Sequence, residues 1–273
     1  MRLEQRLGVM QGRLVPSSTG ELQCSPGERW PDEFVIAADL GLAHVELLAE
    51  RVAEDSNPIW STAGRREICA IVAATGVDAP SLCMNEPLST VLEGADAGTM
   101  LAARLVPVVC ESPVRIVVLP LDEASGLDVL DWTQAAQGVR AVAGLLQERG
   151  ARVALELNVS AADSMRFLEL VDVETVGLCY DVGNATGLGF SAPSELRLLG
   201  PRVVHMHAKD KDAAGANVLY GTGVVPFGAV LAALHDIEFE GLVTMEATRG
   251  DDPAITAAEH RAWLLALDEP DAP

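Results

Sequence analysis

The sequence predicts an α/β chain closed into a single (β/α)8 barrel. Short β-rich runs alternate with helical patterns along the whole chain, its 273 residues suit one such barrel, and 49% hydrophobic residues are enough to fill the core. Strands are expected at residues 7–10, 44–47, 79–84, 115–120, 153–157, 176–180, 203–207 and 242–246. Helices are expected at 31–40, 62–75, 99–110, 129–149, 161–171, 193–199, 227–237 and 253–267. The repeated βα order favours a closed parallel barrel, with an open doubly wound sheet as the structural runner-up. The barrel is expected to span residues 1–268, and residues 269–273 to form a frayed tail.

Local chemistry marks several boundaries. Asp128 is expected to cap the helix beginning at Val129, and Gly150 to end it. Ser160 and Ser191 precede helical patterns, while Gly41 and Gly76 sit where C-terminal caps belong, just before the second and third strands. Pro107 lies inside the third helical pattern, so that helix is expected to kink or shorten.

The charge balance, 19 basic against 40 acidic residues for a net of −21, repels phosphate backbones and anionic lipid. Neither nucleic acid nor a membrane is therefore an expected partner. No run of about 18 apolar residues is present to cross a bilayer. Residues 1–11 include Arg2, Glu4, Gln5 and Arg6 and lack the apolar centre of a secretory signal. The five cysteines form no C-x-x-C pair and read as buried, reduced thiols of a cytoplasmic protein. The sequence leaves room for a homo-oligomer.

Strand parity carries the functional signal. Side chains alternate along a strand, so bulky apolar residues facing the helices leave the others pointing into the barrel. In the fifth strand Val153, Leu155 and Leu157 oppose Ala154 and Glu156; in the sixth, Leu178 and Tyr180 oppose Gly177, Cys179 and Asp181. In the seventh, Val204 and Met206 oppose His205 and His207; in the eighth, Val243 and Met245 oppose Thr244 and Glu246. Each series ends with a polar residue at the C-terminal end of its strand, where barrel active sites sit. A single acid at a strand end is commonly just solvated, but four strands in succession with matching parity are not explained that way. Glu156, Asp181 and Glu246 would repel one another unless protons or a cation intervened, and one divalent ion shared with His207 resolves the conflict. Three carboxylates and an imidazole suit Mn2+, Mg2+, Co2+ or Zn2+, with coordination positions left for oxygens of a small polyhydroxylated substrate.

These residues resemble the xylose isomerase-like TIM barrels, the sugar phosphate isomerase/epimerase family. The resemblance covers nearly the whole chain. It begins at Leu7-Gly8-Val9-Met10-Gln11-Gly12-Arg13-Leu14 and continues through Leu155-Glu156, Tyr180-Asp181-Val182-Gly183-Asn184 and His205-Met206-His207-Ala208-Lys209-Asp210. It then takes in Gly221-Thr222-Gly223 and Met245-Glu246. The resemblance implies that Glu156, Asp181, His207 and Glu246 ligate the metal, and that Glu156 and Glu246 also form an acid–base pair. Asn184 stands where many ketose 3-epimerases of the family carry His; the Asp-x-Gly-Asn form is that of other branches, sugar-phosphate epimerases among them.

The expected reaction is proton transfer at a carbon beside a carbonyl, through an enediolate, with one glutamate removing the proton and the other returning it. Epimerisation or isomerisation of a sugar or sugar phosphate is the first reading. Dehydration of an inosose-like keto-polyol at the same site is the alternative. A non-catalytic sugar-binding barrel and an AP endonuclease rank below both. Glu46, Asn184, Lys209, Arg13 and Arg249 are expected to contact substrate, the last three as candidates for holding a phosphate, with Glu46 alternatively orienting groups behind the ligands, and His205 is expected to lie behind His207.

Overall fold

The protein was analysed as a computed structural model, which describes residues 2–17, 20–50, 57–85, 93–121 and 131–268. Eight parallel strands form a closed barrel: β1 (Leu7–Met10), β2 (Val45–Ala49), β3 (Ser81–Met84), β4 (Ile116–Pro120), β5 (Arg152–Glu156), β6 (Val176–Asp181), β7 (Val203–Ala208) and β10 (Leu242–Met245). Their order is β1-β10-β7-β6-β5-β4-β3-β2. β1 pairs with β10 on one side and β2 on the other, which rules out an open doubly wound sheet. By contact density the chain divides into two compact units, Met1–Glu46 with Tyr180–Pro273, and Leu47–Cys179.

In the Leu47–Cys179 unit, α2 (Thr62–Thr75), α3 (Ala95–Glu111), α4 (Trp132–Gln147) and α5 (Ala161–Val171) accompany β3, β4 and β5. Ser61 accepts the Gly64 N–H to start α2, and Gly76 ends it at φ 75°, a left-handed cap that a side chain would strain. Ser160 caps α5 in the same way as Ser61 caps α2. α3 and α4 bury matching apolar faces, including Leu105 and Val108 on one and Val139, Val142 and Leu146 on the other. Each such side chain contributes about 1.5–3 kcal/mol. The two helices come so close that a Cβ on Gly98 would lie 2.1 Å from the Gly138 carbonyl oxygen.

One expectation changes here. α3 begins at Ala95 and runs through Pro107 to Glu111, so the proline does not shorten it. The ring removes one backbone donor, and burial of Leu105, Val108 and Val109 outweighs that loss. α4 begins at Trp132 and is capped by Asp131, whose carboxylate accepts the Thr133 and Gln134 N–H groups. The expected start at Val129 and cap at Asp128 lie outside the described residues.

In the other unit, α1 (Trp30–Asp39) follows β1, while α6 (Val182–Gly187) and α7 (Ala192–Leu199) follow β6. A small antiparallel hairpin, β8 (Asp210–Lys211) with β9 (Asn217–Val218), follows β7, and α8 (Phe227–Asp236) and α9 (Pro253–Leu267) complete the unit. Neither α6 nor the hairpin was anticipated from periodicity, because both are too short to display any. Tyr220 stacks on His260 at 4.2 Å between ring centroids, and the His260 Nε2 accepts the Tyr220 N–H at 3.2 Å. Burial lowers the His260 pKa to about 4. The expectation of uniformly buried thiols is corrected: Cys24, Cys83 and Cys179 are buried, but Cys69 and Cys110 are exposed. Among the described residues no helix is long and apolar enough to cross a membrane.

Gly98→Ala is expected to destabilise the protein by about 2–4 kcal/mol in urea unfolding, because backbone rather than a flexible side chain blocks the new methyl. His260 holds its folded pKa below the unfolded value, so its contribution is present above about pH 6.5 and is lost as pH falls toward 4. Wild-type stability should fall by up to roughly 3 kcal/mol across that window from this group, and His260→Gln should flatten that part of the profile.

Candidate metal centre and active site

The site is built on an inner layer of polar residues from neighbouring strands. Gly8 on β1 makes room for it: a Cβ there would meet the His44 ring at 2.4 Å. The His44 Nε2 lies 3.0 Å from Thr244 Oγ1, and the same hydroxyl lies 3.1 Å from the His205 Nε2. Above them Glu46 sits at 0% exposure, with Oε2 paired to the His205 Nε2 and Oε1 2.8 Å from the His207 Nε2. Burial alone would raise the Glu46 pKa, but the two histidines outweigh it and hold this carboxyl well below the usual range. Burial, with His205 nearby, pushes His44 down to about 3 despite the opposing pull of Glu46.

Glu46 thereby occupies Nε2 of His207 and turns Nδ1 toward the C-terminal rim, where it lies 3.2 Å from the Glu246 Oε2. Asp181 closes β6 and caps α6: its Oδ1 accepts the Gly183 N–H at 2.8 Å and the Asn184 N–H at 2.9 Å. Its Oδ2 meets the Lys209 Nζ at 2.7 Å, and that ammonium also lies 3.0 Å from the Glu246 Oε1. Asp181 and His207 offer ligand atoms within 4.8 Å of each other. Lys209 thus bridges Asp181 and Glu246, and His207 lies beside Glu246. Burial pushes the Glu246 pKa up, but Lys209, His207 and Arg13 outweigh it and leave the group a carboxylate.

The recurring motifs acquire physical reasons. A Cβ on Gly183 would meet the Lys209 carbonyl oxygen at 2.7 Å and its Cβ at 2.8 Å, so Asp-x-Gly-Asn needs its glycine to admit the lysine of His-x-Lys-Asp. Asp210 does not face the site. Its carboxylate accepts the N–H groups of Gly221, Gly223 and Val225, pinning the Gly-Thr-Gly loop.

Glu156 ends β5 in the Leu47–Cys179 unit, buried, with its carbonyl accepting the Leu121 N–H at 2.9 Å. Asn184 lies half-buried on α6. Arg13 and Arg249 are buried and turned onto backbone rather than presented to a rim anion. Arg249 donates to the carbonyls of Gly12, Glu21 and Leu22, and Arg13 to Leu22 O and, at 2.7 Å, to Gln23 Oε1. Burial lowers the Arg13 pKa to about 10. Glu46, expected to contact substrate, instead lies beneath His207.

Sequence reasoning missed Gln23, whose Nε2 donates to the Glu246 Oε1, and Glu33, whose carboxylate accepts the Gly12 and Leu14 N–H groups at 2.9 Å each. Burial raises Glu33 to about 7. Glu33 carries a weak signal, an acid in the first turn of α1. Gln23 carries none, because loops have no periodicity.

A parallel eight-stranded barrel with an acid-and-imidazole cluster at its C-terminal rim defines a class, and comparison with known proteins places the chain within it. The model for the xylose isomerase-like TIM barrel matches residues 34–267, and the chain belongs to that family. It is 24% identical over 273 residues to an L-ribulose-5-phosphate 3-epimerase of Salmonella paratyphi C, covering 94% of this chain and 96% of that one. Among solved structures it is similar to apo 3-keto-D-glucoside 4-epimerase from E. coli, with a TM-score of 0.73, 17% identity, and 95% and 98% of the two chains covered. A xylose isomerase-like TIM barrel protein from Mycobacterium smegmatis in complex with magnesium gives a TM-score of 0.71 at 19% identity, covering 98% of each chain.

Glu46→Gln keeps the shape of the inner layer but removes the charge that two buried histidines share. Unfolding in urea should show a loss of about 2–4 kcal/mol.

Proposed function

We propose that the protein is a divalent-metal-dependent epimerase or isomerase of a sugar or sugar phosphate. The observation that carries this reading is the orientation of three ligand groups. Glu46 fixes His207 so that Nδ1 faces the Glu246 Oε2, and the α6 N-terminus holds Asp181 by one oxygen so that the other turns to the site. Asp181 and His207 offer ligand atoms within 4.8 Å of each other, and Glu246 stands beside His207. Glu156 is assigned as the fourth ligand on its place as the buried last residue of β5 and on the family pattern in the sequence. Relatives that are epimerases of L-ribulose 5-phosphate and of a 3-keto-D-glucoside, and a structural neighbour that holds magnesium, support the same reading.

A divalent ion held there supplies Lewis acidity to a carbonyl flanked by a hydroxyl. The residues do the rest. Glu156 and Glu246 act as the acid–base pair, one taking the proton from the carbon beside the carbonyl and the other returning it. Lys209, next to both Asp181 and Glu246, balances the acidic cluster when it is closed on itself and turns to a substrate oxygen when substrate enters. Asn184 provides an amide at the same edge. The five free thiols suit a reducing cytoplasm.

Incubated with Mn2+ and a panel of ketoses, ketose phosphates and keto-glycosides in D2O, the protein should incorporate deuterium beside the carbonyl of at least one, as read by proton NMR. Chelation should abolish the exchange, and Glu246→Gln or Glu156→Gln should each slow it by about 10²–10⁴-fold. Metal bound with no exchange across the panel would sink the reading. Enone absorbance in its place would assign the site to dehydration.

A further inference from the structure

We propose that Gln23, in the loop after β1, is a positioning residue that fixes which oxygen of Glu246 faces the ligand cluster; this rests on the function proposed above. Gln23 Oε1 lies 2.7 Å from Nη2 of Arg13. A guanidinium only donates, so the amide oxygen must face it and the NH2 must face Glu246. The orientation of this side chain is therefore set by its neighbours, and the amide cannot flip without placing two donors together. Its Nε2 donates to the Glu246 Oε1, the oxygen that also meets Lys209 at 3.0 Å and lies 3.8 Å from Arg13. Oε2 is left to face the His207 Nδ1 at 3.2 Å.

A glutamate carboxylate turns easily about its last torsion, and its two oxygens are equivalent until the surroundings distinguish them. Lys209 cannot do so alone, because its flexible stem also serves Asp181. Gln23 is tied at its far end to a buried arginine, which is itself tied to the Leu22 carbonyl. It is a rigid, neutral donor, itself half-buried. Asparagine is one methylene too short to span Arg13 and Glu246. Glutamate would face Arg13 well but set a carboxylate against a carboxylate.

The test compares wild type with Gln23→Met, which matches the length without a donor, and Gln23→Glu, which matches the shape as acceptor only. The readouts are thermal midpoint, Mn2+ affinity by calorimetry, kcat and KM for exchange, and a metal-free crystal structure of each protein. Gln23→Met should lower kcat by about 10- to 100-fold, with KM and Mn2+ affinity within about threefold and the midpoint unmoved. Gln23→Glu should lose more than Gln23→Met. In the Gln23→Met crystal the Glu246 carboxylate should turn away from the position seen with Gln23 present.

Unchanged kcat in both variants, a rise in KM alone, or a loss that follows a lowered midpoint would each overturn the proposal. If wild type exchanges no proton, the function proposed above fails, and the crystals still decide the role of Gln23. An unmoved Glu246 then refutes it.

Discussion

The structure depends on giving three buried carboxylates partners. Each would cost several kcal/mol if left without partners. Glu46 is held by His205 and His207, Asp181 by two backbone N–H groups and Lys209, and Glu246 by Lys209, Gln23 and the nearby Arg13. Much of the local sequence serves those partners. Gly8 makes space for His44, which meets the shared Thr244 hydroxyl, and Gly183 makes space for the stem of Lys209. The glycines are required by the close approach of another group, so an alanine at Gly8 would displace His44 from the Thr244 hydroxyl and one at Gly183 would displace Lys209, a charge partner.

The same economy governs the cations. The chain is strongly acidic at −21, yet Arg13, Lys209 and Arg249 are drawn inside. Two of them tie the loop after β1 by its carbonyls, and Glu33 ties the same loop by the N–H groups of Gly12 and Leu14. A loop held from both sides can present Gln23 at a fixed place. The rigidity of the rim at this point comes from buried charge meeting backbone, which is stronger than a neutral hydrogen bond.

The barrel and the ligand strands were legible because both rest on period: strands alternate every two residues, and parity alone points His207 inward. The two short additions, α6 and the β8–β9 hairpin, were not, because neither is long enough to repeat a pattern. Arg13 and Arg249 show a different limit. A cation just past a strand end suggests an anion site, but the sequence does not reveal that carbonyls of the neighbouring loop lie close enough to take its donors. Glu46 shows a third limit. Its inward parity could be read, but whether it would meet substrate or sit beneath a histidine depends on depth along the strand and on the register Met10↔Glu46.

Depth also separates the roles of two glutamates that a sequence cannot tell apart. Glu46 lies at 0% exposure with both oxygens engaged by imidazoles, so it can orient a ligand but has no path for exchanging a proton with a substrate. Glu246 lies just beyond the end of β10, and its partner Gln23 is half-exposed. Its Oε1 meets the Gln23 amide and the Lys209 ammonium, and its Oε2 faces the His207 Nδ1. The inner carboxylate is fixed between two imidazoles, and the outer one stands at the rim. What distinguishes them is whether their partners belong to the closed core or to the rim.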